Sequence, residues 1–319
     1  MNQIHLNNII SDDLAGFRLD QALAKLFPQF SRSQLQQWIE KGGVTVNQKK
    51  IIKSKDRVYP GQKVELNVTL ENREEWTAEA LPLDIVFEDE SLLVINKPPG
   101  LVVHPGAGNL RSTLVNALLY YDTELQKLPR AGLIHRLDKD TSGLLLIARN
   151  LTAFHHLSQQ MQQRTIHRSY AAIVEGSPKL MDTINLAIGR HPTQRTKMSV
   201  LMHGGRSAVT HFKVLEKFLT HAYLDIELET GRTHQIRVHM AYINHPILGD
   251  PVYGKSHRYD RLSEELSQQI ADFKRQALHA KKISFRHPVT EELVTLESNL
   301  PDDLENLLQA FRKYNATSL

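Results

Sequence analysis

Residues 133–149 constrain this chain more than any other stretch. They read Leu133-Ile134-His135-Arg136-Leu137-Asp138-Lys139-Asp140-Thr141-Ser142-Gly143-Leu144-Leu145-Leu146-Ile147-Ala148-Arg149. The two halves want different surroundings. Gly143 to Ala148 is a short apolar run behind a Thr-Ser-Gly turn, the pattern of a buried strand. His135 to Asp140 is mostly charged or titratable, and a buried charge without a partner is costly. That half is therefore a loop at the edge of a sheet, anchored by the strand behind it. An Asp in such a segment is ordinarily a turn or cap residue. A carboxylate held on an anchored loop is also well placed for chemistry.

The chain has 319 residues, enough for two domains, with 41% hydrophobic and 23% charged residues, as in an ordinary globular protein. No run approaches the roughly 18–20 apolar residues needed to span a bilayer. The start lacks the basic-then-apolar order of a secretory signal. There is no cysteine, which excludes disulfides, thiol catalysis and Cys-based zinc sites. The expectation is a cytoplasmic protein with no membrane partner. Net charge is only +4, but Gly16 to Pro60 holds nine Lys or Arg against three Asp or Glu. A small basic module thus precedes a nearly neutral body, which suggests a polyanionic partner.

Read in order, Arg18 to Phe27 spaces Leu19, Ala22, Leu23 and Leu26 as a helix ended by Pro28. A second helix follows, capped by Ser31 or Ser33, with Leu35, Trp38 and Ile39 on one face. Short strands at Val44–Asn47 and Lys63–Val68 flank basic residues from Lys49 to Arg57. Residues 71–80 are acidic and aperiodic, and read as a linker. Beyond them, Ile85–Glu88 and Leu92–Asn96 predict a hairpin. Helices are expected at Thr113–Tyr121 and Leu151–Arg164, and strands at Ser169–Glu175 and Tyr223–Glu229. Gly189 to Arg206 predicts an exposed basic loop or ribbon. Thr233 predicts a helix cap that places Arg237 in the first turn or so, where a cation opposes the helix dipole and calls for a nearby anion. A polar helix from about Leu262 to Arg275, strands near Ile283 and Leu293, and a helix opening at Pro301 complete the chain.

His135-Arg136-Leu137-Asp138-Lys139-Asp140-Thr141-Ser142-Gly143 resembles the signature of the RluA-type pseudouridine synthases. Arg168-Ser169-Tyr170-Ala171-Ala172 and Thr230-Gly231-Arg232-Thr233-His234-Gln235-Ile236-Arg237-Val238-His239 resemble two further strings of that family, in its order. Residues 16–70 resemble an S4 RNA-binding domain, with Gln48 standing where the usual Val-Asn-Gly phrase has glycine. The resemblance implies an α+β chain: an S4-like domain over 16–70, a linker over 71–80, and a catalytic domain over 81–319 with a mixed, mostly antiparallel sheet flanked by helices.

It further implies isomerisation of uridine to its C5-glycoside in RNA, with neither cofactor nor metal. Asp138 would be the nucleophile and Arg237 would hold that carboxylate charged and oriented. Tyr170 would stack on the uracil and relay a proton. Arg136, with His135, would fill the stack vacated by the flipped base. Arg232, Gln235, Arg195 and Lys197 would grip RNA beside the site. Arg32, Lys41, Lys49, Lys50, Lys53 and Lys55 would do so on the first domain. Pro82-Leu83-Asp84-Ile85-Val86, Leu101 to Gly108, His191 to Thr196 and Arg275 to His279 resemble a subgroup acting on a 23S rRNA stem–loop at the subunit interface. A C-type subgroup shares the domain order. The expected partner is 23S rRNA in the large subunit or its precursor, met by a monomer. Two other classes compete. A non-catalytic assembly factor predicts a degraded triad, and a hydrolase predicts a G-x-S-x-G elbow or H-E-x-x-H, which the sequence lacks.

Overall fold

The apolar run behind the Thr-Ser-Gly turn becomes the strand around which the larger part of the protein is layered. In the computed structural model, Ser142–Ala148 is buried at every position. Its pleat sends Leu145 and Ile147 into one core cluster and Leu144, Leu146 and Ala148 into another, on opposite faces of the sheet. A strand covered on both faces reads as continuous rather than alternating hydrophobicity. The structure describes residues 3–27, 30, 32–69, 76–106, 109–194, 196–254 and 262–317. Pro28, Ser31, residues 71–75 of the expected linker, Gly108 and Arg195 lie outside them.

The chain forms two compact units, Met1–Glu75 and Trp76–Leu319. The first holds β1 (Gln3–Ile9), α1 (Leu19–Leu26), α2 (Arg32–Glu40), β2 (Val44–Val46), β3 (Lys49–Ile51) and β4 (Lys63–Thr69), with strand order β1-β4-β2-β3. Leu19, Leu23, Leu35 and Ile39 close over Val44, Val64 and Leu66 in one core. A boundary at residue 16 leaves out β1, which pairs with β4 along its full length. Ser33 lies inside α2 and is not its cap. Asn47 and Gln48 take φ of 50° and 66° between β2 and β3, the two left-handed positions of a tight hairpin turn. Gln48 thus adopts the backbone for which glycine is the usual choice, at some cost in strain.

The second unit runs β5 (Ile85–Glu88), β6 (Leu92–Lys97), α3 (Leu114–Tyr121), β7 (Ser142–Ala148), α4 (Leu151–Gln163), β8 (His167–Glu175), β9 (Met181–Asn185), β10 (Ile188–Arg190), β11 (Met198–Val200), β12 (Val209–Lys217), β13 (His221–Leu228), α5 (Gln235–Tyr242), α6 (Glu264–Asp272), β14 (Leu278–Arg286), β15 (Leu293–Glu297) and α7 (Asp302–Thr317). Its sheet has the order β5-β6-β7-β14-β8-β13-β12-β9, with β15 also on β14. Only the β7–β14 pairing is parallel; the others are antiparallel. Gly143 sits at that junction with φ 113°, and a Cβ there would meet the Ala280 carbonyl oxygen at 2.3 Å. Only glycine lets the loop enter the sheet so close to β14. The expected linker ends early: Trp76 packs on the larger core, the Asn116 amide donates to the Thr77 carbonyl, and Glu79 takes the Ser112 N–H. The basic 189–206 segment is a β10–β11 hairpin ribbon.

Candidate active site

The loop ahead of β7 is tied down by its backbone, which leaves its side chains available. Lys97, fully buried at the end of β6, donates to the carbonyls of Pro98 (2.6 Å), Leu101 (3.1 Å) and Lys139 (2.9 Å). Three acceptors suit the three hydrogens of an ammonium. Against them, burial drags the Lys97 pKa down to about 7, with Asp140 and Asp138 resisting and Arg275 assisting. The lysine is therefore charged in acid and sheds its proton near neutrality. Arg275 donates to the Asp140 carbonyl at 3.2 Å while gripping Asp303 through two nitrogens, at 2.6 and 2.8 Å. The successive carbonyls of Lys139 and Asp140 are thus pinned by buried side chains from distant segments.

Asp138, one residue earlier, meets Arg237 across 99 positions of sequence: Arg237 Nη1 donates to Oδ2 at 2.9 Å. Arg237 is in the first turn of α5 and is 5% exposed. Its other edge is a fork on Asp250, with Nε to Oδ2 at 2.7 Å and Nη2 to Oδ1 at 2.9 Å. Such planar bidentate contacts fix a guanidinium's orientation as well as its charge. Burial alone would raise the Asp250 carboxyl. The Arg237 bonds and charge, with the N–H groups of Val252 and Tyr253, hold it below its ordinary value. The helix dipole penalty expected for Arg237 is met by two carboxylates at once.

The second oxygen of Asp138, Oδ1, makes no hydrogen bond among the described residues. His234 Nε2 lies 3.9 Å from it. His234 is kept below its ordinary pKa mainly by burial and also by Arg237, while Asp138 and Asp250 oppose this. Its Nδ1 lies 2.9 Å from the Tyr253 hydroxyl, which accepts from the Met198 N–H at 2.9 Å. The β10–β11 ribbon is thereby tied to the same cluster. Tyr170, on β8, is buried, and its hydroxyl makes no hydrogen bond among the described residues. Burial raises its pKa, with Arg168 opposing and Asp138 adding. The neutral phenol is the resting form.

The family model described as RNA pseudouridylate synthase matches residues 91–242, and the S4 domain model matches residues 17–64. Ribosomal large subunit pseudouridine synthase D of Vibrio cholerae is 46% identical over 98% of this chain and 96% of its own length. The protein of that name from Neisseria meningitidis is 48% identical over 94% of this chain and 80% of its own. The chain belongs to the RluA-type family of RNA pseudouridine synthases. Two solved structures share the fold of this pseudouridine synthase at 26% identity. Human RNA Pseudouridylate Synthase Domain Containing 1 has a TM-score of 0.54, covering 74% of this chain and 96% of that one. Human RNA Pseudouridylate Synthase Domain Containing 4 has a TM-score of 0.57, covering 72% and 93%.

The other predicted site residues of this synthase fall into two groups. Arg136 is exposed beside Asp138, and Lys41, Lys49, Lys50, Lys53 and Lys55 are exposed on the first unit. Lys197 is half-buried on the ribbon, and Arg232 is half-buried with Nε on the Ser207 carbonyl at 3.1 Å. Three residues are turned to other tasks. His135 points inward: Nε2 accepts from the Leu146 N–H at 3.2 Å, and burial lowers its pKa to about 3, so the ring is neutral and braces β7. Gln235 is 3% exposed and clamps β12 to the turn before α5. It donates to Val209 O and Thr210 Oγ1, each at 3.0 Å, and accepts from Thr230 Oγ1 and Arg232 N. Arg32 spends its guanidinium on buried Asp20, through Nε at 2.9 Å and Nη2 at 2.7 Å. Thr233 is not the cap of α5; His234 holds that place in the left-handed region, with φ 56°. Asp250 and Lys97 were not expected. The Gly249-Asp250-Pro251 turn and the Lys97-Pro98-Pro99 strand end were their only marks in the sequence.

Proposed function

We propose that this enzyme isomerises specific uridines to pseudouridine in 23S rRNA of the large ribosomal subunit or its precursor, in the cytoplasm, at a stem–loop of the subunit interface. The large-subunit synthases that it matches over nearly full length support this target. The observation that carries the chemistry is Asp138 itself. One oxygen is locked by Arg237 and the other is uncommitted, on a loop whose backbone is pinned.

Asp138 is the nucleophile: its carboxylate bonds transiently to the nucleotide, and that bond breaks again before the product leaves, so the carboxylate is regenerated. The C1′–N1 bond of the uridine breaks, the uracil turns over, and C1′ bonds to C5. The C5 proton leaves and N1 ends protonated, so atoms and electrons balance without any redox partner. Tyr170 lies against the uracil plane, its phenol protonated through the useful pH range and able to pass a proton. His234, kept neutral, leaves the Asp138 charge uncancelled on its open side. A base inside a stem must be extruded to reach this depth. Arg136, exposed two residues before Asp138, fills the gap. The exposed lysines of the first unit hold RNA by its phosphates, and a single chain supplies every group.

The test is a pseudouridine map of rRNA from cells lacking the protein. Specific positions in large-subunit RNA should revert to uridine and be restored by the wild-type chain. An unchanged map would refute the reading.

A further inference from the structure

Arg168 is used by none of the above, and its situation is unlike that of any other buried cation here. It is 8% exposed, on β8 two residues before Tyr170, so the pleat puts both side chains on one face. Lys97, Arg237 and Arg275 are each bonded to carbonyls or carboxylates. Arg168 makes no hydrogen bond and no ion pair with any described residue, and its Nε is shut away without an acceptor. Its guanidinium lies over the α-carbon of Gly231, where a Cβ would meet Nη1 at 2.8 Å. Its charge is felt by Tyr170 and by His135. His135 presents a second orphan: with Nε2 accepting from Leu146, the neutral ring carries its proton on Nδ1, which is buried and has no acceptor. Unpaired buried guanidinium charge is costly in a finished fold, so such a group implies an anion that arrives later. The carboxylates of the site do not fill the role: Asp250 and one oxygen of Asp138 are bonded to Arg237, and neither residue forms an ion pair with Arg168.

We propose that Arg168 is a phosphate seat, binding the RNA phosphodiester adjacent to the flipped uridine and so fixing the depth to which the nucleotide enters. Phosphates are the fixed anions of RNA, and a guanidinium fork fits their oxygens. The inference rests on the proposed function and adds the part of the substrate that is gripped.

The test uses the full chain with Arg168→Met and Arg168→Lys, and transcribed large-subunit RNA as the probe. Without RNA, Arg168→Met should melt at or above the wild-type temperature, because a charge with no partner is removed. Clear destabilisation would mark Arg168 as structural and overturn the proposal. With RNA, Arg168→Met should weaken binding by about tenfold or more and flatten the log-affinity against log-salt slope by about 0.7 to 0.9, one phosphate's worth. Arg168→Lys should restore the slope. Methylphosphonates walked through the target loop should include one linkage that weakens wild-type binding and leaves Arg168→Met unaffected. A slope unchanged by Arg168→Met, or losses that add at every linkage, would overturn the seat. Binding is read apart from turnover. A chain that binds in this way yet isomerises nothing would break the proposed function and leave the seat standing.

Discussion

Each compact unit has a buried ion cluster, and the two are built to opposite counts. In the first, one carboxylate takes two arginines. Asp20, with no exposed side-chain surface, accepts from Arg18 at 3.0 and 3.1 Å, from Arg32 at 2.9 and 2.7 Å, and from Gln36 at 2.5 Å. In the second, one arginine takes two carboxylates, and Asp138 keeps one oxygen uncommitted. Asp20 is saturated and can only hold helices together, with the surplus positive charge directed to the surface. Asp138 is half-satisfied and 18% exposed, while its arginine is immobilised from behind by Asp250. The same pair of residue types thus makes a rivet in one place and a reactive group in the other. The difference lies in which partner is in excess.

The comparison is sharpest at the two arginine-facing ends. Arg237→Met should strand Asp250, a buried carboxylate, without its counter-ion. The expected loss is about 3–5 kcal/mol of stability in the second unit, measurable by denaturant unfolding, with turnover abolished as well. Asp250→Asn is milder in fold and informative in rate. Arg237 keeps Asp138 but loses its fork, and a carboxylate displaced by a fraction of an ångström should cost about 10²-fold in single-turnover rate. RNA affinity should hold. A variant as fast as wild type would show that Arg237 needs no bracing.

Asp20→Asn should be smaller, about 1–3 kcal/mol in the first unit, because Arg18 and Arg32 can turn to water. Isomerisation at saturating RNA should be unchanged. Acid should find both clusters. Asp20 and Asp250 are each pushed up by burial and held down further by their arginine partners, below the ordinary value of 3.8. The stability they contribute is complete above that value and is lost as pH falls through their folded values. Unfolding midpoints measured from pH 5 downward should show that loss, and each Asn variant should lack its share. Lys97 gives a slope of the same sign at higher pH. Its folded pKa, about 7, lies below the ordinary 10.5, so between these values the unfolded chain binds more protons. Stability of wild type relative to Lys97→Met should rise with pH across that window, a trend that parallel melts at pH 7 and 10 would reveal.

Much of this was legible in the sequence, for identifiable reasons. A strand buried on both faces leaves an unbroken apolar run, so β7 was plain, and the charged loop before it followed from the cost of burial. Arg237 was marked by sitting in a helix's first turn, where a cation needs an anion, and the ordered motifs supplied Asp138. Asp250 and Lys97 were hidden because their partners are set by tertiary packing: Asp250 needs α5 beside its turn, and Lys97 needs the loop ahead of β7. Motif membership also misled. Gln235 and His135 look like RNA ligands because they are polar residues in the right strings, yet both satisfy buried backbone. β1 was missed because only Ile4, Leu6 and Ile9 relieve its polar sequence.

The central claim is that the uncommitted oxygen of Asp138 does the chemistry. It is tested most directly by Asp138→Asn under single-turnover conditions, with RNA binding measured on the same samples. The amide keeps the shape and can still accept from Arg237, but carries no charge to attack with. The account predicts normal RNA affinity, a normal melt, and a rate lower by roughly three orders of magnitude or more. A rate within tenfold of wild type, with the protein folded and the RNA bound, would contradict it.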